Sequence, residues 1–114
     1  MEISVSRTGD MEEIAMINVS GVVDSETVER FGETLEGVFE EGCYNIILNI
    51  KGLTYINTAG LSIIADAYKK ASQNRGSLKI LNAGDAIREL LDVVRFTKII
   101  EIYEDEEEAV ASFK

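Results

Sequence analysis

Apolar and polar residues alternate along the first segment of the chain, over residues 2–7. This period of two is typical of a β-strand with one face in water. Residues 8–10 (Thr-Gly-Asp) then supply turn chemistry, and apolar residues resume over 14–19. The pattern predicts an antiparallel hairpin, and Gly21 predicts the point where its second strand ends.

Three later stretches carry apolar residues at spacings of three and four, which places them on one face of an α-helix. The first stretch follows Asp24 and Ser25, and we expect one of these to cap the helix, because short polar side chains accept hydrogen bonds from the N–H groups of the first turn. The second stretch follows Asn57, and Asp85 is expected to cap the third. The apolar positions of the three helices are Val28, Phe31, Leu35, Val38 and Phe39; Leu61, Ile64, Ala65, Tyr68 and Ala71; and Ile87, Leu90, Leu91 and Val94.

Short apolar segments lie between the predicted helices. Residues 46–50 are nearly all apolar, which is typical of a central strand covered on both faces, and a turn is expected at 51–52. Further strands are expected at 78–81 and 99–103, followed by a short helix. Strands that alternate with helices after an opening hairpin predict an α/β fold, in which a mixed β-sheet with right-handed crossovers is covered by about four α-helices.

The length of 114 residues suits one hydrophobic core, so residues 1–114 are expected to form a single domain. Lys and Arg number 11 against 21 Asp and Glu, and the net charge of −10 disfavours direct binding of nucleic acid or anionic membranes. We expect no secretory leader, because residues 1–7 lack a basic region followed by an apolar core, and no membrane span, because no apolar stretch approaches about 18 residues. We therefore expect a cytoplasmic protein without membrane insertion.

Most catalytic and metal chemistry lacks its usual residues here. The chain contains no histidine, the common general base and metal ligand at neutral pH, and its single cysteine, Cys43, is expected to be a small buried residue. There is no glycine-rich phosphate loop and no nucleophile elbow, and the acidic run 104–108 suits the start of the last helix. We expect a protein that is not an enzyme and that uses no cofactor or metal.

The segment Asn57-Thr58-Ala59-Gly60-Leu61 carries the most specific chemistry of the chain. A hydroxyl stands among the first residues of a predicted helix, and the two small residues after it leave that hydroxyl sterically accessible. Asn and Thr are also standard helix caps, so local structure alone accounts for the segment when it is considered in isolation. Its surroundings along the chain change that balance.

The order of three segments resembles the STAS family, which comprises bacterial anti-sigma factor antagonists and the cytoplasmic domains of sulphate transporters. These segments are Gly21-Val22-Val23-Asp24, the stretch 53–61 (Leu-Thr-Tyr-Ile-Asn-Thr-Ala-Gly-Leu), and residues 87–91 (Ile-Arg-Glu-Leu-Leu) through 98–100 (Lys-Ile-Ile). The most specific of them is the family pattern Asp-Ser-(Ser, Thr or Ala)-Gly-Leu, which residues 57–61 match at their last three positions, with a hydroxyl residue kept at the second. The resemblance covers essentially the whole chain and implies the STAS fold.

The resemblance implies an anti-sigma factor antagonist that regulates transcription. In such family members the hydroxyl residue of the pattern is phosphorylated by the cognate anti-sigma factor, a serine/threonine kinase, and a PP2C-type phosphatase reverses the modification. The unphosphorylated form binds the anti-sigma factor and thereby frees the sigma factor. By position the phosphorylated residue is Thr58, and the implied partner-binding residues are Asp24, Ser25, Asn57, Thr58, Ala59, Gly60, Leu61 and Ser62.

Two positions depart from the family pattern. Asn57 stands where most phosphorylated members have aspartate, so the charge that this carboxylate supplies is missing. Thr58 replaces the commoner serine and keeps the hydroxyl, but its β-branch restricts its rotamers. Whether Thr58 is phosphorylated in the cell is therefore open.

Other functions stay open beside the antagonist. STAS subunits that bind the cytoplasmic ATPase of a lipid ABC transporter show a Thr-Ala-Gly-Leu stretch similar to residues 58–61. Related domains also stack as scaffolds in large stress-sensing assemblies. An enzyme would need a paired acid and base, which the sequence does not offer. The sequence leaves homo-oligomerisation undecided.

Overall fold

Strands and helices alternate after an opening hairpin, as the sequence predicts. The computed structural model describes residues 1–114. None of its helices has the length and apolar content that crossing a membrane requires. In chain order the elements are β1 (Glu2–Thr8), β2 (Ile14–Val23), α1 (Val28–Glu40), β3 (Asn45–Ile56), α2 (Thr58–Gln73), β4 (Ser77–Leu81), α3 (Asp85–Val93), a short 3-10 turn (Phe96–Lys98), β5 (Ile102–Tyr103) and α4 (Glu106–Ala111).

The five strands form one mixed sheet in the order β1-β2-β3-β4-β5. The hairpin partners β1 and β2 are antiparallel, whereas β2, β3, β4 and β5 pair in parallel. The predicted fold class, a single α/β unit with a mixed sheet and four helices, is confirmed. The 12-residue strand β3 lies at the centre and is the longest.

Two expected chain breaks do not occur. β2 continues through Gly21, which has a φ of +85°, and β3 continues through residues 51–52. The register of the β2–β3 pair shifts twice along this stretch, so bulges absorb the irregularity without ending either strand. Gly52 pairs with Ser20, where an added Cβ would lie 2.7 Å from the Ser20 Cβ. Gly21 therefore allows a bulge, and Gly52 allows a close contact between strands. In the sequence, both glycines look like turn signals.

Helices cover the two faces of the sheet unequally. On one face α1, α2 and α3 enclose a core of 23 buried residues, which includes four of the five predicted apolar positions of α1, whereas Val28 is half-buried. In α2 the buried alanines are Ala67 and Ala71, whereas Ala65 and Tyr68, which the sequence also places on the apolar stripe, are half-buried. On the other face α4 alone covers a smaller cluster: Ile14, Met16, Ile47, Leu81 and Ala109.

The buried ammonium group of Lys79 fastens α4 to the sheet. Its Nζ donates hydrogen bonds to the carbonyl oxygen and to Oγ of Ser112, at 3.0 and 2.7 Å, and lies 4.6 Å from the ring centroid of Phe113. Nζ also lies 3.0 Å from Oε1 of Glu101. The hydrogen bond from Lys79 holds the pKa of the Glu101 carboxyl below its ordinary value of 4.5.

The sequence misplaces two boundaries in the last third of the chain. Asp85 is the first residue of α3 and Gly84 occupies the cap position, so the Asp85 carboxylate lies inside the first turn. The last strand is limited to Ile102–Tyr103, which pair with Ile80 and Leu81 of β4, and the predicted residues 99–101 lie outside it. The preceding Ile100 is nevertheless buried, which explains its apolar character.

Candidate functional site

The extensions of β2 and β3 bring the two segments of interest side by side. Val23 pairs with Ile56 at the carboxyl ends of these parallel strands. The N–H of Asn57 donates a hydrogen bond of 2.9 Å to the carbonyl oxygen of Val23. The loop after β2, which contains Asp24, and the start of α2 therefore form one continuous edge, the position where α/β sheets commonly bind their ligands.

The first turn of α2 presents a capped but accessible helix start. The Asn57 Oδ1 accepts a hydrogen bond of 2.8 Å from the N–H of Gly60, which confirms Asn57 as a helix cap. The first four N–H groups of a helix have no partner within the helix. With those of Asn57 and Gly60 bonded as described, the N–H groups of Thr58 and Ala59 stay free at the positive end of the helix dipole. Thr58 itself is exposed.

Gly60 allows the start of α2 to approach the sheet closely. A Cβ at this position would lie 2.6 Å from Cγ1 of Ile56 and 2.9 Å from Cγ1 of Val23. Carbon atoms do not approach each other this closely without displacement, so glycine is the residue that fits. The close approach fixes Thr58 relative to the loop after β2.

That loop is locked by hydrogen bonds of its own. Oδ1 of Asp24 accepts from the N–H groups of Glu26 and Thr27, at 3.0 and 3.2 Å. The Thr27 Oγ1 accepts from the Asp24 N–H at 2.9 Å and donates to the Val22 carbonyl oxygen at 3.0 Å. The expectation that Asp24 or Ser25 caps α1 is wrong in detail, because α1 begins at Val28 after Thr27. Asp24 instead closes the turn that precedes the helix.

The predicted site residues divide by exposure. Four are exposed: Ser25, Thr58, Ala59 and Ser62. Asp24 and Asn57 are half-buried, and their side chains bond the local backbone. Gly60 and Leu61 are buried, and Leu61 is 8% exposed and belongs to the core. The surface that a partner can touch is therefore formed by the four exposed and two half-buried residues. Gly60 and Leu61 do not belong to it.

Sequence reasoning missed Tyr55, which is 52% exposed and precedes Asn57 by two residues in β3. In the β2–β3 pair, Gly21 pairs with Leu53 and the next residue, Val22, pairs with Tyr55. Thr54 is therefore an extra residue in β3 and forms a bulge. The Thr54 Oγ1 donates a hydrogen bond of 3.0 Å to the Gly21 carbonyl oxygen and stabilises this bulge. A bulge breaks the alternation of buried and exposed positions, so the pattern of the sequence does not reveal the exposed ring.

The site combines a hydroxyl, free N–H donors and an exposed aromatic ring. Exposed tyrosine rings are frequent anchors of protein interfaces. A phosphoryl group on Thr58 would meet N–H donors and the positive end of a helix dipole. The arrangement suits recognition by a protein and modification of one hydroxyl.

Comparison with known proteins defines the class of this chain. A model of the STAS domain family matches residues 5–109. The chain therefore belongs to the STAS domain family, which confirms the resemblance inferred from its motifs. Several relatives of this chain are named anti-sigma factor antagonists. The chain is 26% identical over 102 residues to the anti-sigma F factor antagonist of Paenibacillus polymyxa, a match that covers 89% of this chain and 87% of the relative.

Solved structures share its shape. The Bacillus cell fate determinant SpoIIAA in its phosphorylated form superposes with a TM-score of 0.77 at 18% identity, over 99% of this chain and 100% of that one. A chain of the Acinetobacter MlaFEDB complex in an ATP-bound conformation superposes with a TM-score of 0.63 at 18% identity, over 76% of this chain and 92% of that one. At this level of identity the likeness establishes a shared fold.

Proposed function

We propose that this protein is an anti-sigma factor antagonist whose binding is switched by phosphorylation of Thr58. The unphosphorylated chain binds an anti-sigma factor kinase in the cytoplasm, and the sigma factor released from that kinase activates transcription. Phosphorylation by the same kinase ends binding, and a PP2C-type phosphatase restores it. The protein itself is noncatalytic in this scheme. The observation that carries the proposal is the exposed Thr58 hydroxyl at the first position of α2.

The antagonist name of the relatives supports the general role. The solved phosphorylated form of SpoIIAA supports the switch, because a protein of the same fold accepts a phosphoryl group. The contact surface proposed for the anti-sigma factor consists of Asp24, Ser25, Asn57, Thr58, Ala59 and Ser62, with Tyr55 as an added anchor. Leu61 and Gly60 support this surface from beneath.

Electrostatics explains why a phosphoryl group would release the partner and leave the fold intact. The group adds roughly −1.5 to −2 charge at the positive end of the α2 dipole, beside the free N–H groups of Thr58 and Ala59. A partner surface that packs on a neutral hydroxyl meets a bulky dianion instead. A penalty of about 3 kcal/mol corresponds to roughly a hundredfold loss of affinity. No rearrangement of the core is needed.

The test begins with incubation of the protein with candidate anti-sigma factor kinases from the same genome. We expect an added mass of about 80 Da, one phosphoryl group, that maps to Thr58 and disappears in Thr58→Ala. The Thr58→Glu variant should bind the cognate anti-sigma factor about a hundredfold more weakly than wild type, measured by calorimetry. Thr58→Ala should bind like wild type.

The matched control is Ser72→Glu, which places the same charge on an exposed position of the same helix, about 21 Å along its axis from Thr58. This control should bind like wild type. Equal affinity of wild type and Thr58→Glu for the anti-sigma factor, or phosphorylation at another residue, would overturn the switch.

A transporter role is the second candidate, because a chain of the MlaFEDB complex shares the fold over 92% of its length. Copurification separates the candidates. Recovery of a small kinase-like protein favours the antagonist, a transporter ATPase favours the second candidate, and a homomeric complex of high mass favours a stress-assembly scaffold. Turnover that Thr58→Ala abolishes would instead indicate an enzyme.

A further inference from the structure

A groove of about 360 Å³ runs between α1 and α2 on the outside of the molecule. Its floor is apolar, with Val28 and Ile63 half-buried at one end and the buried Phe39 and Ala67 below. Gly32 creates a notch in this wall of α1, because an added Cβ would lie 3.2 Å from Cδ1 of Ile63. The groove thus offers an apolar surface between α1 and α2, and no other element of the chain lines it.

The rim of the groove is acidic. Glu29, Glu33 and Glu36 project from α1 at spacings of four and three, and Asp66 faces them from α2. All four are exposed. The single basic residue of the lining is Lys70, whose Nζ lies 3.2 Å from Oε2 of Glu36 and 5.2 Å from the Phe39 ring centroid.

The remaining three carboxylates are free. The four ion pairs of the chain are Arg7–Glu41, Lys70–Glu36, Lys79–Glu101 and Lys114–Asp10, and they leave Glu29, Glu33 and Asp66 without a cationic partner. An apolar floor with a negative rim complements an amphipathic helix that carries Lys or Arg beside its apolar stripe.

We propose that this groove is a second docking surface and that it receives a basic amphipathic helix of the partner protein. Charge argues against other occupants, because a second copy of this chain or an anionic membrane would bring further negative charge to the rim. The proposal rests on the proposed function in one respect, since it assigns the helix to the anti-sigma factor.

The groove is continuous with the contact surface proposed around Thr58, which we call the Thr58 surface. Ile63 follows Thr58 by five residues on the same helix, roughly 7.5 Å along its axis. Val28 begins α1 directly after the loop that contains Asp24. One partner can therefore touch the Thr58 surface and extend a helix along the groove, and the two contacts contribute separately to affinity.

The first experiment uses the full chain and a synthetic amphipathic helix of leucine and lysine as the probe. We expect amide chemical-shift changes centred on Gly32, Ile63 and Ala67. The Glu33→Lys/Asp66→Lys variant should bind the probe at least about tenfold more weakly than wild type. A matched control, Glu89→Lys/Glu104→Lys, makes the same change in net charge at exposed positions away from the groove and should bind like wild type.

Equal weakening in the two double variants would show that net charge alone attracts the probe, and it would overturn the proposal. Shift changes centred away from the groove would overturn it as well. The probe contains no anti-sigma factor and does not touch Thr58, so Thr58→Glu should bind it like wild type. Failure with the probe therefore leaves the Thr58 switch standing.

The second experiment measures the affinity of the cognate anti-sigma factor for the same variants. Glu33→Lys/Asp66→Lys should lose about tenfold while still being phosphorylated on Thr58, and the control variant should lose nothing. If the groove variant binds the anti-sigma factor as tightly as wild type, the groove is not its contact and the proposal fails. If Thr58→Glu also binds normally, the proposed function fails separately.

Discussion

Gly60 is the residue at which the start of α2 comes closest to the sheet. Its missing side chain leaves room for Ile56 and Val23, whose methyl and methylene carbons surround the position. The residue contributes no chemistry, and its role is to fix the distance between the helix and the sheet. The exposed Thr58 two residues earlier depends on this placement.

We predict that Gly60→Ala lowers the free energy of unfolding by about 2 kcal/mol, because the new methyl group forces the packed side chains apart. The matched control is Gly37→Ala in α1, where an added Cβ meets nothing within 4 Å. The free energy of unfolding of that variant should rise by about 0.5–1 kcal/mol, since alanine is more favourable than glycine in the interior of a helix. Urea unfolding measures both changes, and a stable Gly60→Ala protein would refute the close-contact role.

Asn57 carries the cap of α2 through one hydrogen bond to the Gly60 N–H. Asn57→Ala should lower the free energy of unfolding by about 1 kcal/mol, because that N–H loses its acceptor. Asn57→Asp should keep the cap, and its carboxylate is favoured at the helix start. We also expect faster phosphorylation of Thr58 in Asn57→Asp, measured by intact mass against time. An unchanged rate would show that Asn57 does not restrain the reaction.

At the scale of elements, α4 is the only helix that covers its face of the sheet. Ala109 supplies its buried contact, and Lys79 supplies its polar attachment through Ser112. The cation also lies near the rings of Tyr103 and Phe113, at 5.8 and 4.6 Å from their centroids. One buried side chain thus joins β4, β5 and the end of the chain.

Removal of that side chain should loosen α4. We expect Lys79→Ala to lower the free energy of unfolding by about 2 kcal/mol, because hydrogen bonds from a charged group are lost. Hydrogen exchange should accelerate most in α4 and β5. Lys98→Ala, at an exposed position of the 3-10 turn, is the control and should leave both measurements unchanged. Unchanged exchange in Lys79→Ala would contradict the attachment.

The helices were the elements most readily predicted from the sequence. Three stripes of apolar residues locate α1, α2 and α3, and the acidic run at the chain's end locates α4. The long strands β2 and β3 were less accessible, because the glycines at 21 and 52 imitate turns. A glycine is equally suited to a turn and to a bulge, and only the neighbouring strand decides between them.

At the scale of the whole molecule, the net charge of −10 is spread over a chain of 114 residues. Excess like charge destabilises a compact state through repulsion, and salt screens that repulsion over a Debye length of about 10 Å at 0.1 M. The three ion pairs at exposed positions contribute little in opposition. Salt is therefore expected to stabilise this fold.

We predict that the melting temperature rises by several degrees between about 0.02 and 0.5 M NaCl, where roughly 4 °C corresponds to 1 kcal/mol. The Glu89→Lys/Glu104→Lys variant reduces the net charge to −6, from −10 + 4, and should show a smaller rise. Thermal unfolding followed by circular dichroism measures the effect. A falling melting temperature with salt would mean that attractive pairs dominate.

The candidate site was found in the sequence as a motif and completed by the structure. Asn57 as a cap and Thr58 as an accessible hydroxyl follow from local rules of helix starts, which depend on neighbouring residues alone. The Asp24 turn is also local, because Asp24 bonds Glu26 and Thr27, whereas the exposed Tyr55 and the acidic groove depend on residues distant in sequence. Periodicity carries no information about such contacts.

Local spacing and short motifs were enough to predict the alternation of elements, the core stripes, the family and the hydroxyl that the proposed switch uses. The contacts between strands were needed to show which glycines bend a strand, that Leu61 is buried while Tyr55 is exposed, and that the loop after β2 lies beside the start of α2. Burial and proximity depend on partners across the sheet, and these partners lie some thirty residues away along the chain, beyond the reach of any local pattern.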